Sequence, residues 1–212
     1  AGGARFGHNV YCMAEDSEGN IWLGTKPGGL FRLRPEGTGF AVDRYVHRRG
    51  DAYSLSCDKV YSICFDGSGR MWVGTYGGGV NIVEKPGAGH ISFINKNNRL
   101  SGYPAEAVKV RCLHPWRGGT MLIGTGGGLY SCRLVGHGRG VSAVFTANRR
   151  DPYDTHSLSN NEVMGMAADG LGDVYVATYG GGVNKVLAGS FRGGRLRFQA
   201  YTMADGLASD VN

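Results

Sequence analysis

Apolar residues in this chain come in short alternating runs, each broken by a polar or glycine-rich turn, and the same phrase returns four times. Val10 to Thr25 reads VYCMAEDSEGNIWLGT, Val60 to Thr75 VYSICFDGSGRMWVGT, Val110 to Thr125 VRCLHPWRGGTMLIGT and Val163 to Thr178 VMGMAADGLGDVYVAT. Each phrase is an apolar run, a break at Asp or Gly and a second apolar or aromatic run, which predicts a β-hairpin closed by a tight turn. Asp16, Asp66 and Asp169 start the turn, and Gly19, Gly69, Gly119 and Gly172 take the position that needs positive φ.

After each threonine a glycine turn leads into a third alternating run, as in KPGGLFRL, YGGGVNIV, GGGLYSCR and YGGGVNKV. Fourth strands are expected at Phe40–Val46, Ile91–Ile94, Val141–Phe145 and Leu196–Tyr201. Four antiparallel strands recurring every ~40–50 residues predict an all-β fold, a β-propeller whose blades bury their faces only against one another. The expected blades are 9–48, 59–96, 109–147 and 162–203 of one propeller segment, 1–212, with 204–212 starting the connection to a next blade. The 38 glycines would suggest disorder if scattered, but here most fall at recurring turns.

The repeats depart from one another in three places. Trp116 stands where the others have Asp, Leu122 replaces the aromatic seen as Trp22, Trp72 and Tyr175, and Ala177 replaces the glycine before Thr178. A packing position exchanges one large apolar group for another more easily than a catalytic position gives up its carboxylate. Asp16, Asp66 and Asp169 are therefore read as turn caps, and Trp22, Trp72 and Tyr175 as wedges between blades.

The unit as it stands at Val60–Val80 closely resembles the two-component regulator propeller repeat. The lead-ins Ser54-Leu55-Ser56-Cys57-Asp58-Lys59 and Ser157-Leu158-Ser159-Asn160-Asn161-Glu162, and Asp205-Gly206-Leu207-Ala208-Ser209-Asp210, resemble that family's linkers. The resemblance covers essentially the whole chain. It implies a periplasmic sensor region of a hybrid two-component system, in which a histidine kinase and a DNA-binding response regulator share one polypeptide. It also implies seven blades, of which about four are expected here. Exposed blade faces then predict closure by self-association, by neighbouring blades or as a small four-bladed ring.

The expected activity is non-catalytic sensing of a carbohydrate or other small extracellular ligand, relayed to a kinase outside the chain. In such a meander the turn between second and third strands shares a face with the connection between blades. Lys26, Tyr76 and Tyr179 are thereby placed beside Asp58, Lys59, Asn160 and Asn161, a mixture of rings, amides and charges that suits sugar recognition. The plainer reading is that Tyr76 and Tyr179 cover their own turns. Two other classes stay open: a lyase-type propeller enzyme, with His8, His156 and Glu162 as the residues to test, and a protein-interaction scaffold.

The net charge of +6 changes the picture modestly. Arg48, Arg49, Arg149 and Arg150, beside Asp51 and Asp151, suit an acidic ligand such as a sulfated or uronic-acid glycan, or are solvated loop charge. No basic stripe interleaved with stacking aromatics points to nucleic acid. Five cysteines without a CxxC read as free apolar thiols. GTGGG at Gly124–Gly128 runs on into a strand, unlike a phosphate loop, and lacks the Lys-Ser/Thr pair. Asp16–Asn20 resembles the structural Asp-box hairpin of sialidases more than a calcium loop. The six histidines show no metal-ligand spacing, and there is no Gly-x-Ser-x-Gly, so no metal or cofactor is expected. No apolar run reaches the ~20 residues of a membrane span, and the first residues lack the apolar core of a signal peptide.

Overall fold

A computed structural model describes residues 8–136, 142–187 and 194–210. Blade one consists of β1 (Asn9–Glu15), β2 (Ile21–Lys26), β3 (Gly29–Glu36) and β4 (Gly39–Tyr45). Blade two has β5 (Val60–Phe65), β6 (Met71–Thr75) and β7 (Gly79–Val83), and blade three β8 (Val110–Trp116), β9 (Thr120–Thr125), β10 (Gly128–Val135) and β11 (Ser142–Asn148). Blade four contains β12 (Val163–Ala168), β13 (Val174–Thr178), β14 (Gly182–Val186) and β15 (Phe198–Tyr201). Every strand pairs antiparallel with its neighbour in sequence, giving three four-stranded meanders and one of three strands. Among the described residues no helix is long and apolar enough to cross a membrane.

The fourth strand expected at Ile91–Ile94 does not form. Its place is taken by a single antiparallel bridge between Ile82 and Ile94. Ile91, Phe93 and Ile94 are buried as a strand's residues would be. The backbone N–H of Phe93 donates to Tyr53 O at 2.9 Å, which ties this segment to the interblade connection as well as to β7, as Phe198 N–H donates to His156 O in blade four. Of the other expected fourth strands, Val141 lies outside the described residues.

The hairpin turns follow from their residues. Gly19, Gly69, Gly119 and Gly172 have φ of 78°, 76°, 71° and 79°. Asp16 Oδ1 accepts the N–H groups of Glu18 and Asn20, and Asp16 Oδ2 accepts Trp22 Nε1–H at 2.8 Å. Asp66 repeats the arrangement with Ser68, Arg70 and Trp72, and Asp169 with Leu171, Asp173 and the Tyr175 hydroxyl. One carboxylate thus caps the turn and fixes the aromatic of the returning strand.

The core lies between blades. Trp22 and Leu30 of blade one are buried with Leu55, Val60, Ile63 and Met71 of blade two, and Trp72 and Val80 with Val110, Leu113, Met121 and Ile123 of blade three. Leu122 and Leu129 meet Leu158, Val163, Val174 and Val176 of blade four. Trp116 packs against this last cluster, so the bulk that Leu122 lacks arrives from the other side of the same hairpin.

Each interface is keyed by one glycine. A Cβ at Gly24 would lie 2.6 Å from Val60 Cγ1, at Gly74 2.6 Å from Val110 Cγ1 and at Gly124 2.6 Å from Val163 Cγ1. The valines are 0% exposed, whereas their counterpart Val10 is 45% exposed. Among the described residues β1 packs on β5 of blade two but has no blade on its other side: Met13 is 70% exposed, and β1 does not pack on β12 as successive inner strands pack on each other. The four blades form an arc, not the small four-bladed ring that was one expected form of closure.

Gly74→Ala is expected to cost about 1–3 kcal/mol, because the stiff, buried Val110 side chain must move. Urea denaturation of Gly74→Ala, Val110→Ala and the double variant checks it. The second substitution should recover part of the first one's loss, and a Gly74→Ala chain as stable as the parent would show that the interface is loose.

Candidate functional site

Every inner strand carries a β-bulge just after its first valine, at Val10/Cys12, Val60/Ser62, Val110/Cys112 and Val163/Gly165. The bulged residues are Tyr11, Tyr61, Arg111 and Met164. A bulge leaves one residue out of the ladder and re-aims its side chain. The valine before it stays committed to the interblade core in blades two to four, so the fold frees this one position for other chemistry.

Three tyrosines stand in a row there. The Tyr11 and Tyr61 rings are 4.7 Å apart between centroids, and Tyr61 and Tyr76 are stacked at 5.2 Å. The row ends in charge. Lys109 Nζ lies 5.8 Å and Arg111 Cζ 5.7 Å from the Tyr76 ring centroid, and Arg111 Nη2 is 2.5 Å from Glu162 Oε1. Residues of all four blades therefore contribute: Tyr11 from the first, Tyr61 and Tyr76 from the second, Lys109 and Arg111 from the third, Glu162 from the lead-in to the fourth. Tyr76 is held by Tyr61 and two cations, while Tyr11 (46%) and Tyr179 (49%) keep exposed ring surface.

The expected ligand residues divide on inspection. Tyr76 N–H donates to Lys59 O and Tyr179 N–H to Glu162 O, so the glycine turns do meet the interblade connections. Asp58 and Asn161 serve the chain itself: Asp58 Oδ1 accepts His47 N–H at 2.6 Å and Asn161 Oδ1 accepts Arg150 N–H at 2.7 Å, clamping the exit from the preceding blade. Asn160 Oδ1 accepts Glu162 N–H at 2.9 Å. Lys26 pairs with Asn9 at the end of blade one's first hairpin, and Lys59 is exposed.

Behind them a hydrogen-bonded triad recurs. Asn81 accepts Ser56 N–H and donates to Ser56 Oγ, which lies 3.3 Å from Thr75 Oγ1, and the Thr75 hydroxyl donates to Gly79 O. Asn184, Ser159, Thr178 and Gly182 repeat it in blade four. This accounts for the repeated threonine and for the second serine of the lead-in. Blade three has Tyr130 in place of the asparagine and a shorter glycine turn without a tyrosine, so the site is asymmetric.

The residues of the lyase alternative are not brought together. His8 packs beside Gly28 and Phe31. The carbonyl of His156 accepts Phe198 N–H at the outer strand, whereas Glu162 pairs with Arg111 at the inner one. All five cysteines are free, and burial pushes the thiols of Cys12, Cys64, Cys112 and Cys132 up to about 12, where they are protonated and unreactive at neutral pH. Among the described residues no cluster of three or more His, Cys, Asp or Glu could hold a metal ion.

Residues 5–26 and 54–77 match the family described as two component regulator propeller. In structure the chain is similar to the extracellular domain of a protein assigned as a hybrid two component system from B. thetaiotaomicron, with a TM-score of 0.70 and 21% identity over 96% of this chain and 24% of that one. It is also similar to PorZ, a surface component of the type-IX secretion system of Porphyromonas gingivalis, with a TM-score of 0.65 and 16% identity over 96% of this chain and 28% of that one. An inactivated virginiamycin B lyase from Staphylococcus aureus gives a TM-score of 0.59 and 12% identity over 93% of this chain and 57% of the lyase. At these identities the structural likeness is one of fold, and the chain spans about a quarter of the length of the first two proteins. No curated protein matches its sequence.

Proposed function

We propose that this chain, which carries two component regulator propeller repeats, is the cue-binding part of an extracytoplasmic, periplasmic sensor. It binds a carbohydrate without transforming it and relays its occupancy to a histidine kinase outside these 212 residues. The observation that carries the reading is the row Tyr11, Tyr61 and Tyr76 ending in Lys109, Arg111 and Glu162. Exposed ring surface accepts the C–H face of a sugar, and the adjoining ammonium, guanidinium and carboxylate supply donors and acceptors for its hydroxyls.

Relay follows from how the site is assembled. Its residues belong to successive blades, so a ligand touching several of them binds one interblade arrangement better than another and shifts the population toward it. A non-catalytic role agrees with the placement of His8 and His156 away from Glu162, whose carboxylate is already paired with Arg111.

Titration calorimetry with neutral and acidic oligosaccharides tests the reading, with product analysis of the same mixtures. One glycan class is expected to bind saturably and be recovered unchanged. Tyr61→Ala should weaken that glycan about tenfold, equivalent to ~1.4 kcal/mol. The reading is overturned if Tyr61→Ala weakens the binding of none of the glycans, or if a bound glycan is converted to product.

A further inference from the structure

The outer edges of blades three and four part into a groove of about 540 Å³. Leu196, Phe198 and Pro152 supply its apolar lining, and Arg149, Arg150, Arg195 and Arg197 face Asp151 and Asp154 along it. Arg149 is engaged, donating to Tyr130 Oη at 2.6 Å and to Gly127 O at 3.1 Å. The exposed guanidinium groups of Arg150, Arg195 and Arg197 have no ion-pair or hydrogen-bond partner among the described residues. The carboxylates opposite are partly spent on the loop: Asp151 Oδ1 accepts Tyr153 N–H, and Asp154 Oδ1 accepts His156 N–H.

The same molecule provides the comparison that gives this meaning. The corresponding groove between blades one and two, about 480 Å³, holds Arg44 and Arg48 against Asp43 and Asp51. There Arg44 donates to Gly28 O, and Asp43 is bonded by Arg32 and Arg34. The fold therefore makes a groove at two of its three interfaces, and of these two the one between blades three and four concentrates the uncompensated positive charge, with three guanidinium groups unpaired among the described residues against the one of Arg48. Guanidinium groups recognise planar or tetrahedral oxyanions through paired N–H donors, and the groove's volume is that of a small-molecule site.

We propose that this groove binds an acidic saccharide of about two rings, its carboxylate or sulfate groups held by Arg150, Arg195 and Arg197 and its apolar faces set against Leu196 and Pro152. The site is separate from the tyrosine row and does not depend on the reading given to that row.

The test is calorimetry at low ionic strength with digalacturonate, a disulfated disaccharide and neutral maltose. At least one acidic disaccharide is expected to bind saturably and maltose is not, the tighter acid showing which oxyanion the groove prefers. The double variant Arg195→Ala/Arg197→Ala, which removes exposed side chains without partners among the described residues, should weaken that binding at least tenfold. Arg48→Ala/Arg49→Ala and Tyr61→Ala should leave it within twofold. Equal loss in the Arg48/Arg49 variant would show unspecific attraction to net charge, and absence of acid binding, or maltose binding equally well, would overturn the proposal outright.

Discussion

Trp72→Ala is expected to lower the free energy of unfolding by about 3–5 kcal/mol, the largest effect of any single substitution between blades two and three. Trp72 is 1% exposed and lies in one cluster with Val110, Leu113, Met121 and Ile123 of the next blade. Removing the indole opens a cavity where two sheets meet, and neither can close it without losing its hold on Gly74 and Val110. The bond from Trp72 Nε1–H to Asp66 Oδ2, 2.9 Å, goes with it. Because that carboxylate also accepts from Ser68, Arg70 and the Arg70 side chain, it is not left unpartnered, so the deficit is mainly one of packing. Trp72→Phe, which keeps a ring and loses the donor, should cost less than half as much. Urea unfolding of both variants checks the division, and a Trp72→Ala loss below about 1 kcal/mol would show that the ring does not hold the interface. In an array stabilised by nearest-neighbour contacts the damage should be local, with amide exchange rising first in blades two and three.

How the sequence announces such positions depends on whether they recur. Trp22 and Trp72 are legible because the repeat returns a large aromatic to one register, and Gly19, Gly69, Gly119 and Gly172 because a turn with positive φ has few alternatives. The three-stranded sheet of blade two is not legible. Ile91–Ile94 has a strand's composition, and nothing in its residues marks that its pairing with β7 stops at the one bridge between Ile82 and Ile94. Of the site, Tyr76 and Tyr179 are visible as departures inside a glycine turn. Tyr11, Tyr61 and Arg111 are not found by looking for motifs, since each occupies a position that reads as ordinary inner strand. A signal was nevertheless present: between the invariant valine and the residues of the interblade core, one position changes freely from Tyr to Arg to Met. A position that varies in chemistry inside an otherwise constant unit is one that the fold does not need, and the bulge at that position is the physical reason. The roles of Asp58 and Asn161 were hidden for the opposite reason, because the backbone groups they bind lie eleven residues upstream in loops without any pattern.

Arg32 is the clearest residue that no periodicity could reveal, and Arg32→Met is expected to cost about 3 kcal/mol at neutral pH. Its side chain is 2% exposed, lies 5.5 Å from the Trp22 ring centroid and pairs with Asp43 at 2.9 Å. Nη1 donates to Pro86 O at 2.9 Å and Ala88 O at 2.8 Å, reaching from blade one into the loop that follows β7. Methionine fills much of the volume but leaves those two carbonyls without their donor. Asp43 itself is held below the ordinary carboxylate range, first by the hydrogen bond from Arg34, against its own partial burial, and then by Arg32. A carboxylate whose folded pKa is depressed contributes stability above its unfolded value and loses that contribution as the pH falls through the folded one. The parent therefore sheds on acidification something the variant has already partly lost. The difference in stability between parent and Arg32→Met should be widest near neutral pH and narrow as the pH drops below about 4, without vanishing, because the carbonyl bonds do not titrate. Chemical denaturation of the two chains at successive pH values measures this directly. A difference independent of pH would assign the role of Arg32 to the Pro86 and Ala88 carbonyls and the Trp22 face alone, with the Asp43 pair contributing nothing.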